Sequence, residues 1–201
     1  MTELNRKILL LDLGGVVASL GDPVAEIGLS ISQDEFWKYW LASLLVRDLE
    51  TGQLPQAEFL RKVASHLGEQ AGDEFSQRFK QWRFKPFTKV VASLPYWASR
   101  FHLALLSNTN EIHWQGATSP QDFSVHFDKL FLSFENGHFK PAAEAYTQVV
   151  DHYGCKPGDI HFIDDAEKNV LAAREAGLNA YQVSGADTML DAVMAIADKW
   201  A

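Results

Sequence analysis

Three apolar runs of strand length in this chain stop at residues able to do chemistry. Lys7-Ile8-Leu9-Leu10-Leu11 stops at Asp12, His102-Leu103-Ala104-Leu105-Leu106 at Ser107-Asn108, and Ile160-His161-Phe162-Ile163 at Asp164-Asp165. Lys140, before Pro141, lies between the second and third. A nucleophilic carboxylate, a hydroxyl-plus-amide pair, a lysine and paired carboxylates suit phosphoryl transfer through an aspartyl-phosphate intermediate. In that chemistry Asp12 attacks phosphorus, while Ser107, the Asn108 backbone and Lys140 hold the phosphoryl oxygens. Asp164 and Asp165 offer the hard oxygens that Mg²⁺ prefers. Each residue also has a plainer use: Asp12 as a turn residue, Ser107 and Asn108 as helix caps, Lys140 as a surface lysine, and Asp164-Asp165 as an N-cap. Together they mean more than singly, because ligands of an open α/β sheet bind beyond the carboxyl ends of its strands.

The elements that must position them alternate. After Pro86 the pattern predicts a helix over 87–99, the strand at 102–106, a polar segment, a short strand at 129–132 and a loop over 135–141. A helix over 142–153, the strand at 160–163, a helix over 167–176 closed by Gly177, a strand at 180–183 and a final helix to Trp200 complete the chain. Strands alternating with helices imply a doubly wound parallel α/β sheet with helices on both faces. Residues 20–85 differ, with no second buried strand. Ser32 and Glu35 form a capping-box pattern, and Phe36, Trp37, Trp40, Leu41 and Leu44 follow at helical spacing. Phe59, Leu60, Val63 and Leu67 mark a second helix, and Phe75, Phe79 and Trp82 a third. The expected organisation is a core of 1–19 and 86–201 with a helical cap of 20–85 inserted after the first strand.

Composition narrows the function. With 201 residues, 47% hydrophobic content, 13 Phe, 6 Trp and 5 Tyr, the chain can bury a sizeable core. A net charge of −8 without a basic cluster argues against nucleic acid and anionic membrane as partners. An anionic substrate then needs local help from a lysine, a metal or backbone amides. No stretch has the length to cross a bilayer, and a single cysteine, Cys155, fits a reducing cytoplasm. A monomer is the default expectation, with a dimer through exposed cap aromatics the alternative.

At its polar strand ends the chain resembles the haloacid dehalogenase-like hydrolase superfamily. The motifs stand in family order: Leu11-Asp12-Leu13-Gly14-Gly15-Val16, Leu106-Ser107-Asn108-Thr109-Asn110, Lys140-Pro141, and Phe162-Ile163-Asp164-Asp165 with Asn169 downstream. The Asp-Leu-Gly and Ser-Asn-Thr-Asn variants look most like the branch containing bacterial α-glucose-1-phosphate phosphatases. The resemblance implies a Rossmann-like core and a Mg²⁺-dependent phosphatase acting on a small phosphorylated metabolite, sugar phosphates first. It implies Asp12 as nucleophile and metal ligand, Gly14 giving a backbone carbonyl to the metal, Asp165 as a direct ligand, and Asp164 as a direct or water-mediated one.

One departure matters. Family phosphatases mostly carry a second aspartate two residues after the nucleophile, as general acid and base, and here that position is Gly14. Another group such as His113 or a cap residue could substitute, the ester could have a good leaving group such as an anomeric or acyl phosphate, or the enzyme could be weak. The leaving-group account agrees best with the sugar-1-phosphate branch. Arg47 could reach a substrate from the cap, whereas Phe36, Trp37 and Trp40 read as the cap's own core. The rival readings are a 2-haloacid dehalogenase, which needs no metal, and a binding protein that has kept the fold.

Overall fold

The computed structural model describes residues 7–118 and 122–199. Its centre is β1 (Ile8–Leu11), a strand with no polar side chain, and so able to be covered on both faces. Around it lie β4 (His102–Ser107), β5 (Lys129–Leu132), β6 (Ile160–Asp164) and β7 (Asn179–Gln182) in the order β5-β4-β1-β6-β7. All neighbouring pairs are parallel, as the alternating pattern requires.

The pleat divides the core. Leu9 and Leu11 face a cluster that includes Val90 and Leu94 of α6 (Thr88–Ala98) and Met189 and Val193 of α11 (Gly185–Asp198). Ile8 and Leu10 face Tyr146 and Val149 of α9 (Ala143–Tyr153) and Val170 and Ala173 of α10 (Glu167–Glu175). Register then sets the site: Leu11 lies opposite both Leu105 and Ile163, so the next residues, Asp12 and Asp164, leave the sheet at the same level. The Asp12 amide extends this pairing with a 2.9 Å hydrogen bond to the Ile163 carbonyl.

A third apolar cluster belongs to the segment between β1 and α6. It joins α1 (Pro23–Ile27), α2 (Gln33–Ala42), α3 (Leu44–Glu50), α4 (Gln56–His66) and α5 (Asp73–Gln81) around Phe36, Trp40, Phe59, Phe79 and Trp82. Ile112 of α7 (Glu111–Ala117) is packed into it from the sheet side. The chain leaves and re-enters through an antiparallel pair that periodicity misses, β2 (Ala18–Ser19) and β3 (Lys85–Pro86), since two residues carry no hydrophobic repeat. The indole N–H of Trp82 donates to the Leu20 carbonyl at 2.7 Å beside it.

Other details depart from the periodic reading. Ser32 and Glu35 do form a capping box, but the helix they start does not continue through Leu44. Ser43 ends α2 and caps α3 with its side chain, leaving Leu41 and Leu44 70% and 73% exposed. The segment after Asn110 is not merely polar: it contains α7 and a 3-10 turn at Phe123–His126. The loop expected over 135–141 begins with a single helical turn, α8 (Ser133–Asn136). Gly177 takes the left-handed conformation, φ +87°, just past α10. The final helix ends at Asp198, and Trp200 lies outside the described residues.

Candidate active site

Asp12 and Asp164 emerge side by side because β1 and β6 are adjacent and in register, and Lys140 enters between them. Its Nζ lies 2.8 Å from Asp12 Oδ1 and 2.6 Å from Asp164 Oδ2, with the lysine 1% exposed. The Asn108 side chain holds that lysine's backbone: its Oδ1 accepts from the Lys140 amide and its Nδ2 donates to the Lys140 carbonyl, both at 2.9 Å. A buried ammonium tolerates removal from water only when paired, and here two carboxylates pair it. Burial alone would lower the lysine's pKa, yet Asp12 and Asp164 hold it above the ordinary range.

Asp164 is fully enclosed. Besides Lys140 it accepts from the Ala166 amide at 2.8 Å and from Asn169 Nδ2 at 3.0 and 3.1 Å. Asn169 in turn receives the Tyr146 hydroxyl on its carbonyl at 2.9 Å. Asp164 therefore anchors the lysine and opens α10, and it does not border the cavity above. Ser107, 2% exposed at the end of β4, is not one of the residues bordering the cavity, whereas the next residue, Asn108, is. The Asn108 side chain also has a task the strand pattern did not suggest, as the clamp on Lys140.

Asp165 is the exposed carboxylate of the group. Gly15, at φ +70°, makes room for it: a Cβ there would stand 2.3 Å from Asp165 Oδ2, so no other residue leaves that carboxylate in place. Gly14 is different. A Cβ there would meet only Phe84 Cε1 at 3.5 Å, an ordinary contact, so the absence of a side chain at this position is not forced by its immediate surroundings.

The donor set suits a divalent cation. Oxygens of Asp12, Asp164 and Asp165 lie within 4.8 Å of one another, and the buried part of the cluster holds one ammonium. Burial, aided by Asp164 and Asp165, raises the Asp12 pKa against the pull of Lys140. A hard dication beside these oxygens offsets that accumulation of like charge.

Above the cluster opens a cavity of about 990 Å³ whose opposite wall comes from α2 and α3. Arg47 stands there, its guanidinium 5.6 Å from the centre of the Phe139 ring, one residue before Lys140. Two further wall residues have no signature in the sequence. Lys168 is an exposed residue of α10, and Glu50, the last residue of α3, is 8% exposed. A glutamate following Leu49 at the end of an amphipathic helix looks solvated in sequence, and nothing local marks it as buried. Burial first, then the charge of Asp12, raises its pKa to about 8, against a smaller opposing effect of Lys168.

His113 does not reach this cavity. It is 2% exposed among the rings of Trp40, Phe79, Trp82 and Phe84, its Nδ1 receives Asn110 Nδ2 at 3.1 Å, and burial lowers its pKa to about 3. The expectation that it could stand in for the missing aspartate fails on position and protonation alike. Trp37 and Trp40 do both jobs that the sequence set apart, packing in the cap cluster while bordering the cavity.

The haloacid dehalogenase-like hydrolase family model matches residues 7–177. A D-ribitol-5-phosphate phosphatase of Bacteroides thetaiotaomicron is 30% identical over 198 residues, spanning 90% of this chain and 94% of that protein. A solved haloacid dehalogenase-family enzyme of the same species, in complex with magnesium and inorganic phosphate, superposes with a TM-score of 0.75 at 28% identity, covering 91% of this chain and 97% of the other. A hydrolase of that fold from Porphyromonas gingivalis reaches 0.77 at 21% identity, over 96% and 98% of the two chains. No helix among the described residues is long and apolar enough to cross a membrane.

Proposed function

The chain belongs to the haloacid dehalogenase-like hydrolase family, and from that premise we propose that it is a Mg²⁺-dependent phosphatase of small phosphorylated metabolites, working through an aspartyl-phosphate. The observation that carries this reading is the ion-paired row Asp12–Lys140–Asp164, with the exposed Asp165 beside it at the floor of the cavity. Residues 20–85 act as the cap that excludes water and selects the substrate.

In this reading an Asp12 oxygen attacks phosphorus while the ester P–O bond breaks. Lys140 keeps Asp12 aimed, offsets the charge gathering on the phosphoryl oxygens, and is itself held by Asp164 and Asn108. Asp12, Asp165 and the Gly14 carbonyl are the proposed holders of Mg²⁺, with Asp164 behind them. The bound ion would neutralise phosphoryl charge and let an anionic nucleophile approach an anionic ester. Ser107 and the Asn108 backbone remain the proposed phosphoryl contacts, and Arg47 the contact for the rest of the substrate.

The relative named as a ribitol-5-phosphate phosphatase favours sugar or sugar-alcohol phosphates, including primary alkyl esters. That supports the small-metabolite reading and weakens the expectation of an anomeric or acyl phosphate. The test is a panel holding an anomeric sugar phosphate, a primary sugar-alcohol phosphate and an aryl phosphate, assayed with Mg²⁺ and with chelator. Phosphate release that needs Mg²⁺ is the expected result. Halide release from a 2-haloacid with no phosphate release would instead favour the dehalogenase chemistry.

A further inference from the structure

The missing aspartate at position 14 leaves the site without an evident group to protonate a departing alcohol. Among the described residues lining the cavity, Glu50 is the buried carboxylate that the row around Lys140 does not use. Its side chain makes no hydrogen bond or ion pair to a described residue, and although the residue is 8% exposed its oxygens are not fully enclosed, which leaves the cavity as the place where they meet solvent or substrate. A carboxyl largely removed from water is favoured in its neutral, proton-carrying form.

Its place is held from both sides along α3. Arg47, three residues earlier and on the same helical face, rests over Phe139 next to Lys140. Gly52, two residues later at φ +70°, lies against the Phe134 carbonyl so closely that a Cβ there would come within 2.4 Å of it. These contacts dock the end of α3 on the sheet side and turn Glu50 toward the cavity that Asp12 also borders. The charged groups bordering that cavity with Glu50 are Asp12 at the end of β1, Lys140 and Asp165 beyond it, Lys168 on α10 and Arg47 on its own helix.

We propose that Glu50 is the proton carrier of the site, supplying from the cap the acid and base chemistry that a carboxylate at position 14 would supply from the core. The inference rests on the phosphatase reading and deepens it. In the first step Asp12 forms its bond to phosphorus, the ester P–O bond breaks, and the leaving oxygen takes the Glu50 proton to become an alcohol. In the second step the Glu50 carboxylate takes a proton from water as the water oxygen attacks phosphorus. The bond from phosphorus to Asp12 breaks, which regenerates the Asp12 carboxylate and releases inorganic phosphate. Its raised pKa, about 8, keeps Glu50 protonated at neutral pH for the first step.

Leaving-group dependence tests this. Glu50→Gln keeps the shape and neutrality of the protonated residue but has no proton to give. With Mg²⁺, wild type should hydrolyse both a sugar-alcohol phosphate and an aryl phosphate. The variant should lose about 10²–10⁴-fold on the alkyl ester. On the aryl ester, whose phenolate leaves unaided, it should release one equivalent of phenol per enzyme in a rapid burst and then turn over slowly, the phosphoryl group trapped on Asp12. Wild-type kcat/KM for the alkyl ester should fall at alkaline pH as Glu50 loses its proton, and the aryl burst rate of the variant should not. Equal losses on both esters without a burst, or an undiminished alkyl rate, would overturn the assignment. A wild type inactive on both esters would overturn the phosphatase reading and this inference with it.

Discussion

On the sheet side of the cavity, Lys140 is held at 2.8 and 2.6 Å by two carboxylates and its backbone is clamped by Asn108. On the helical side, the Glu50 side chain has no hydrogen-bond partner among the described residues and Arg47 rests on a phenylalanine ring. The ionic row on the sheet side is preorganised: Lys140 and its two carboxylates are paired before a substrate arrives, so little reorganisation of these groups accompanies the charge changes of phosphoryl transfer. The helical side keeps polar groups in reserve for a substrate, and its own cohesion comes from Phe36, Trp40, Phe59, Phe79 and Trp82 packed behind them. Stability and chemistry are thus coupled on one wall and separated on the other.

Substitutions should sort by wall. Asp12→Asn should lower phosphatase turnover by at least about 10⁴-fold, since it removes the proposed nucleophile; phosphate release near the wild-type rate would break the assignment. Lys140→Ala should be both inactive and unstable, with about 3–5 kcal/mol lost to denaturant, because it strands buried Asp12 and Asp164 without their cation. Asp165→Asn should cost activity and weaken Mg²⁺ binding by about 10–100-fold, read by calorimetric titration. Its exposed side chain should leave stability within about 0.5 kcal/mol. If Lys140→Ala and Asp165→Asn destabilised equally, the distinction between anchoring and exposed carboxylates would fall.

On the cap side, Arg47→Ala should raise KM by about tenfold, the equivalent of 1.4 kcal/mol, with kcat nearly kept. A separate effect, on stability and not on turnover, concerns acid pH. The folded pKa of His113, about 3, lies below its ordinary 6.5, so between those values the unfolded chain binds a proton that the folded one refuses. Stability is therefore complete above about pH 6.5 and falls as pH drops through that window. By pH 5 the loss is about 2 kcal/mol, and His113→Phe should remove most of it in paired melts at pH 7 and pH 5.

Much of the sheet side is legible in the order of residues along the chain. A strand buried on both faces must be apolar, so the residue at which the apolar run stops marks the sheet edge; Asp12 and Asp164-Asp165 are visible for that reason. The helical side is legible only as helices. Periodicity runs Trp37 through Leu44 as one element, yet Ser43 Oγ accepts from the Val46 amide and starts a new one. That break aims α3 across the cavity and leaves Leu41 and Leu44 outward. His113 and Glu50 show the limit most clearly: neither the Ile112-His113-Trp114 setting of one nor the Leu49-Glu50-Thr51 setting of the other announces where its side chain is placed.

The sequence by itself determined the parallel α/β core, the helical segment that follows the first strand, and the identity and order of the polar residues at the strand ends. These are local properties, set by which side chains tolerate burial in a strand and which must stop it. Only the tertiary structure decided that Lys140 is shared between Asp12 and Asp164, that Asn108 serves as its clamp, that His113 is sealed among rings, and that Glu50 faces the cavity. Each of those outcomes depends on groups brought together from distant parts of the chain, where desolvation and hydrogen bonding are set by packing, and no spacing along the chain encodes that.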